Sequence, residues 1–310
     1  MNTQLACPIH ILLGIDGSEH SIAAVQLLLD LPLARATLPT SRITVLAVLQ
    51  PRQSARRQAL EAMLQQVHEQ LSRRGLEVYI DLIHGDPAGE IVRYAEEHDP
   101  TLIVLGALGL RATLGILLGG VAQHVVEYAR WPVLTVRAPY RGLRRILLVT
   151  DGSPSSQKAI GYLCGRSDTP CLPIPADTVL HLAHVLPPLI QPEIYVRTWP
   201  IAAEALPYVA NQEFEEISRR QAEEEEMAGR QLLEKTAETL QDALKDTLIK
   251  IEIALLRGDA ATEIIQYAKT NQIDLIIAGS RGLSQVKSWL LGSVSRKLVH
   301  YAGCSTLIVK

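Results

Sequence analysis

Residues 84–110, HGDPAGEIVRYAEEHDPTLIVLGALGL, lie without a gap over residues 257–283, RGDAATEIIQYAKTNQIDLIIAGSRGL, and this overlay decides the fold. The same offset of 173 carries GGVAQHVVEYARWPVLTVR (119–137) onto GSVSRKLVHYAGCSTLIVK (292–310). From 84 to 137, 21 of the 54 pairs are identical, too many for chance. Nearer the start, HILLGIDGSEHS (10–21) lies over RILLVTDGSPSS (145–156) at an offset of 135, so the second copy carries 38 additional residues in its middle. The chain is one unit written twice, 1–140 and 141–310. The join, Ala138-Pro139-Tyr140-Arg141-Gly142, is too short to separate the copies widely.

Within each copy short apolar runs alternate with helical patterns. The first copy has Ile9–Ile15, Ile43–Leu49, Leu76–Ile83, Leu102–Leu105 and Val133–Val136; the second has Ile146–Thr150, Val179–Leu186, Leu248–Leu255, Leu275–Ala278 and Thr306–Val309. Most are apolar throughout, the pattern of parallel strands covered on both faces. Helical periodicity over Glu19–Leu29, Ser54–Arg73, Ala88–Glu97 and Val121–Ala129 completes βαβ units. The expected fold is α/β: two tandem doubly wound domains, each an open five-stranded parallel sheet with helices on both faces. Ligands of such sheets bind beyond the carboxyl ends of the strands, where the winding reverses.

Composition narrows the partners. The chain has 310 residues, a formal net charge of −3 and 4% aromatic residues, which favours neither nucleic acid nor an anionic membrane. Cys7, Cys164, Cys171 and Cys304 form no C-x-x-C pair and have no zinc spacing. Free thiols in a reducing cytoplasm are expected, although Cys164 and Cys171 could pair. Thr101–Ala122 has membrane-span length, but its five glycines and the polar counterpart DLIIAGSRGLSQVKSWLLGSVS argue against a span. The N-terminus lacks the form of a signal peptide, and a cytoplasmic location is expected.

Two loops of the second copy suit an anion. Thr150-Asp151-Gly152-Ser153 follows the first strand. Gly279-Ser280-Arg281-Gly282 follows the fourth, and nine residues later Gly292-Ser293 opens a helix. Glycines there would let backbone N–H groups approach phosphate oxygens, with a hydroxyl from Ser293 and the positive end of the helix dipole. Each part also has a plainer reading: Asp151 and Ser293 as helix N-caps, Gly279 and Gly282 as turn formers. His84, His184 and the other histidines stand singly and read as structural. The run Glu223–Glu226, within a helical stretch from about Gln212 to Asp246, reads as a solvated face.

Gly279, Gly282, Gly292 and Ser293, at Gly-x-x-Gly, nine residues, then Gly-Ser, resemble the motif of nucleotide-binding members of the universal stress protein (UspA-like) family. The resemblance covers both copies apart from the insertion. It implies ATP, with Mg²⁺, as ligand and a regulatory role in the stress response. It places Asp151 near adenine and ribose, Val185 near adenine, and Val294 and Ser295 at the phosphate end. Thr150 and Arg281 complete the expected site. The first copy keeps Asp16, Gly106, Gly109 and Gly119 but has Gly120 at the hydroxyl position and Leu108 in place of Arg281, so a weaker site is expected. The apolar stretch LRATLGILL between its glycines could contact the other copy instead.

No G-x-x-x-x-G-K-[ST] loop is present. An enzyme of slow ATP hydrolysis or nucleotidyl transfer, and a structural pseudo-dimer that binds nothing, are the competing functions. The resemblance also implies that the copies pack as an intramolecular pseudo-dimer through Val133–Val136 and Thr306–Val309, with a homodimer a further possibility. The added residues, at about 187–211, include Tyr195, Trp199 and Tyr208 and are expected to cover the ATP site or to contact a second chain.

Overall fold

The computed structural model describes residues 9–33, 41–50, 56–110, 118–165, 172–189, 208–244, 249–282 and 291–310, with 208–215 by main chain alone. The first copy runs β1 (His10–Gly14), α1 (Glu19–Asp30), β2 (Arg42–Leu49), α2 (Arg57–Ser72), β3 (Glu77–His84), α3 (Pro87–His98), β4 (Leu102–Gly106), α4 (Gly120–Tyr128) and β5 (Val133–Val136). The second runs β6 (Arg145–Val149), α5 (Pro154–Cys164), β7 (Val179–Leu186), α6 (Tyr208–Ala243), β8 (Lys250–Arg257), α7 (Ala260–Thr270), β9 (Leu275–Gly279), α8 (Ser293–Tyr301) and β10 (Ser305–Val309). The strands form one sheet in the order β3-β2-β1-β4-β5-β10-β9-β6-β7-β8. Every pairing is parallel except β5 with β10. The winding reverses between β1 and β4, and again between β6 and β9. Those two points define where ligands are sought.

The central strands are buried on both faces, as their unbroken apolar runs require. The outer strands differ. β3 and β8 expose one face, with Tyr79 47% and Ile253 49% accessible. Both carry charges among their apolar residues, as suits an edge that must not recruit another strand.

At the seam, Leu134 lies opposite Leu307, its own counterpart at offset 173, flanked by Thr135 opposite Thr306 and Val133 opposite Ile308. The pairing is therefore self-complementary, as in a two-fold interface. Buried Thr135 and Thr306 join their hydroxyls at 2.7 Å. One apolar cluster covers each face of the sheet, and each contains residues of both copies. The ends of the seam strands make a reciprocal contact. The Arg137 guanidinium donates to the carbonyls of Val299 and His300 at the end of α8, and Lys310, the counterpart of Arg137, donates to Val126 O near the end of α4. Carbonyls at a helix C-terminus lack partners within the helix, so a cation from the other copy satisfies them.

Burial, with the nearby Arg281 charge, pulls the Lys310 ammonium down to about 8. A lysine depressed in the folded state binds fewer protons there than in the unfolded chain, so stability should rise with pH from about 8 towards 10. We expect the unfolding free energy of the wild type, from urea titration, to gain on that of Lys310→Met across this interval by an amount on the order of 2 kcal/mol. A constant difference would remove the lysine as the cause.

The insertion is partly helical. α6 spans 36 residues where its counterpart α2 spans 16, and it begins at Tyr208, inside the stretch expected to be loop. Arg257, at the end of β8, holds α6 to the strand ends by donating to Pro187 O at 3.1 Å and Ala222 O at 3.4 Å. Residues 190–207, with Tyr195 and Trp199, lie outside the described residues, so the expected cover does too.

Among the described residues no helix is long and apolar enough to cross a membrane. The segment 101–122 holds β4 and the start of α4 instead. Cys164 is buried at the end of α5, while Cys7 and Cys171 lie outside the described residues.

Candidate functional site

Each copy brings its two loops together by the same local chemistry. In the second copy Asp151 Oδ1 accepts the Ser153 N–H at 3.0 Å, and Gly152 adopts φ +76°, which bends the chain sharply after β6. Ser153 then caps α5 by accepting the Ser156 N–H. The first copy repeats this with Asp16, Gly17 at φ +83° and Ser18. Asp151 is therefore not the helix cap, and its carboxylate faces the second loop. Ser153 Oγ reaches Arg281 O at 3.4 Å, joining the two loops.

The glycines turn out to serve these contacts. A Cβ on Gly279 would stand 2.5 Å from the Ser155 carbonyl carbon, and one on Gly282 would stand 2.8 Å from Asp151 Oδ2. A Cβ on Gly292 would lie 3.3 Å from Arg281 Cα and 3.4 Å from Ser280 O. Besides the expected approach of phosphate, these glycines have a role the sequence did not show. They let strand end, loop and helix start touch, and thereby aim the helix.

Gly292 is the N-cap of α8 and offers no side-chain cap, so the first N–H groups of the helix remain available. Ser293 is the first helical residue and is exposed, not a cap. Arg281 is exposed beside it in the loop, and Val294 is partly buried. Ser295 departs from expectation: it is buried, and its hydroxyl donates to Gly279 O at 2.7 Å, which ties α8 to β9. Thr150 is also buried, its Oγ1 accepting the Gly152 N–H at 3.3 Å, so it shapes the turn. His184 Nδ1–H donates to Thr150 O at 2.8 Å, a structural role. No group of three or more His, Cys, Asp or Glu suited to a metal occurs among the described residues.

In the first copy Asp16, Gly106, Gly109, Gly119 and Gly120 meet in the same way. They line a cavity of about 530 Å³ between the ends of β1 and β4. Val48, the β2 counterpart of Val185, also lines it, which puts Val185 at the equivalent place on β7. A cavity this well formed was not anticipated for the copy lacking the hydroxyl. Its walls include Leu60 and Met63 of α2, a helix that lies outside the glycine motif.

A doubly wound α/β fold with an uncapped helix start at its switch point is an arrangement suited to holding small anions. The profile described as the Universal stress protein family matches residues 9–137 and 142–310, and the chain belongs to that family. A universal stress protein of Mycolicibacterium smegmatis is 25% identical over 99% of both chains. One of Methanocaldococcus jannaschii is 38% identical over 76 residues, covering 24% of this chain and 45% of that protein, so less than half of that relative's length is spanned. The crystal structure of a universal stress protein from Archaeoglobus fulgidus matches 97% of this chain and 96% of its own, with a TM-score of 0.60 and 19% identity, a likeness of fold.

Proposed function

We propose that this universal stress protein is an ATP-responsive regulatory module, with ATP held by its second copy. The observation that carries the reading is the meeting of the Asp151 carboxylate and the Arg281–Gly282 loop with the exposed Ser293 at the uncapped start of α8. Phosphates would take the N–H groups of that helix and the Ser293 hydroxyl, with Arg281 balancing charge. Asp151 would accept from ribose or adenine, and Val185 and Val294 would contact the base and the phosphate end. Gly279, Gly282, Gly292, Thr150 and Ser295 hold the frame. Mg²⁺ would arrive with the phosphates, since such ions are commonly held by phosphate and one or two carboxylates. The two copies act as an intramolecular pseudo-dimer, and the domains divide near residue 140.

Calorimetry tests this. Gly292→Val forces the Ser280–Arg281 backbone away from the helix start, and ATP affinity should fall at least tenfold. Unchanged binding would show that the loop is wrongly assigned. Steady release of ADP by the wild type would move the reading to an enzyme.

A further inference from the structure

The first-copy cavity has the position of a nucleotide site and a different chemistry. At five equivalent positions the second copy has Ala183, Ala278, Arg281, Ser293 and Ser295, where the first has Leu46, Leu105, Leu108, Gly120 and Ala122. All five first-copy residues line the cavity. One cation and one exposed hydroxyl are thus absent, the Ser295 hydroxyl being spent on Gly279 O, and two alanines are replaced by leucines. Leu110, Leu118 and Val121 also line the cavity, but the second copy has the same residue types at Leu283, Leu291 and Val294, so the difference rests on the five positions above. The charged residues of the described lining are Asp16 and Arg56, one of each sign, and Arg56 is exposed. A triphosphate here would find the N–H groups of the uncapped α4 start but neither the cation nor the hydroxyl of the second copy, and would lie against Leu46, Leu105 and Leu108, which is costly.

What the cavity does offer is apolar area and one oriented acceptor. Asp16 Oδ1 accepts from the Ser18 N–H at 2.9 Å and Oδ2 from the Leu110 N–H at 3.1 Å. These bonds fix the carboxylate, and each oxygen retains capacity for a further donor. The volume, about 530 Å³, lies within the range of small-molecule sites.

We propose that the first copy is a separate ligand site for an uncharged, largely apolar small molecule bearing a hydroxyl or amine donor that faces Asp16. The protein would then read two signals of unlike chemistry, one per copy, across a shared sheet.

The test uses the full-length chain and N-phenyl-1-naphthylamine, a neutral apolar dye with one N–H donor whose fluorescence rises out of water. The expected result is saturable binding of one dye per chain. Gly120→Phe should weaken it at least tenfold, because a Cβ at Gly120 meets nothing within 4 Å and the ring would enter the cavity from a helical position without strain. Ala59→Trp, on an exposed residue of the cavity rim, should do the same if Gly120→Phe fails to fold. No saturable binding would overturn the proposal, as would binding indifferent to a folded cavity-filling variant. Displacement of the dye by ATP in the Gly292→Val chain would also overturn it. That last arm keeps this proposal separable from ATP binding in the second copy.

Discussion

Gly279→Ala is expected to cost the second copy more stability than any other single methyl added to the loops. The Cβ would lie 2.5 Å from the Ser155 carbonyl carbon, 2.6 Å from its oxygen and 2.8 Å from the Ser156 nitrogen. All three are backbone atoms in the first turn of α5, so no side chain can swing aside. Overpacking of this kind typically costs about 1–3 kcal/mol, and a backbone-to-backbone clash belongs at the upper end. For a unit of this size that corresponds to a melting shift of roughly 5–10 °C. ATP binding should be lost as well, because the β9 loop and the β6 loop could no longer meet. Gly120→Ala provides the contrast. Its Cβ meets nothing within 4 Å, and it stands at the first position of α4, so stability should hold or improve by up to about 1 kcal/mol. Calorimetric melting of both variants decides the matter. Equal losses would mean that these backbone contacts do not set the difference between the two glycines, whereas an equal gain would place the effect in the unfolded chain.

The division between what could and could not be read in advance follows from which forces are local. The repeat, the parallel strands and the two loops are written in short-range patterns, and the observed strands fall within about two residues of the apolar runs. The antiparallel seam also follows, since two copies of an exposed last strand can pair with their own counterparts. The reasons behind the glycines were not legible, because the atoms they accommodate belong to residues far away in sequence: Ser155 for Gly279, Asp151 for Gly282. The resemblance places Ser295 at the phosphate end, two residues beyond Ser293. Only the helix orientation shows that its hydroxyl points inward to Gly279 O. The start of α6 reads about four residues late in the sequence, at Gln212 and not Tyr208, since its first turn lies in a proline-rich approach that reads as loop. The first-copy cavity was hidden for a related reason. Motif reading asks which polar groups are present, whereas this cavity is made by side chains of α2, α3 and β2 that carry no motif.

Binding of ATP should saturate at one equivalent per chain in the wild type, and the first copy should become a second nucleotide site when its chemistry is restored. Gly120→Ser supplies the hydroxyl at the start of α4, and Leu108→Arg supplies the cation that the second copy has in Arg281. The space for both changes exists. Gly120 has open room at its Cβ, and Leu108 already lines the cavity. A hydrogen bond to a charged group contributes about 1.5–3 kcal/mol, or roughly ten- to hundredfold in affinity, so Gly120→Ser alone should bring ATP binding in the first copy towards the measurable range. Adding Leu108→Arg should do more than the hydroxyl alone, because it also replaces an apolar surface that opposes phosphate. The doubly substituted chain should therefore titrate with two ATP per chain, while the apolar dye loses its site. Two equal ATP sites in the wild type would defeat the argument at its start. A doubly substituted chain that still takes one ATP would show that the leucines at positions 46 and 105, which stand where the second copy has alanines, close the cavity to adenine. The deciding contact would then lie at the base and not at the phosphates.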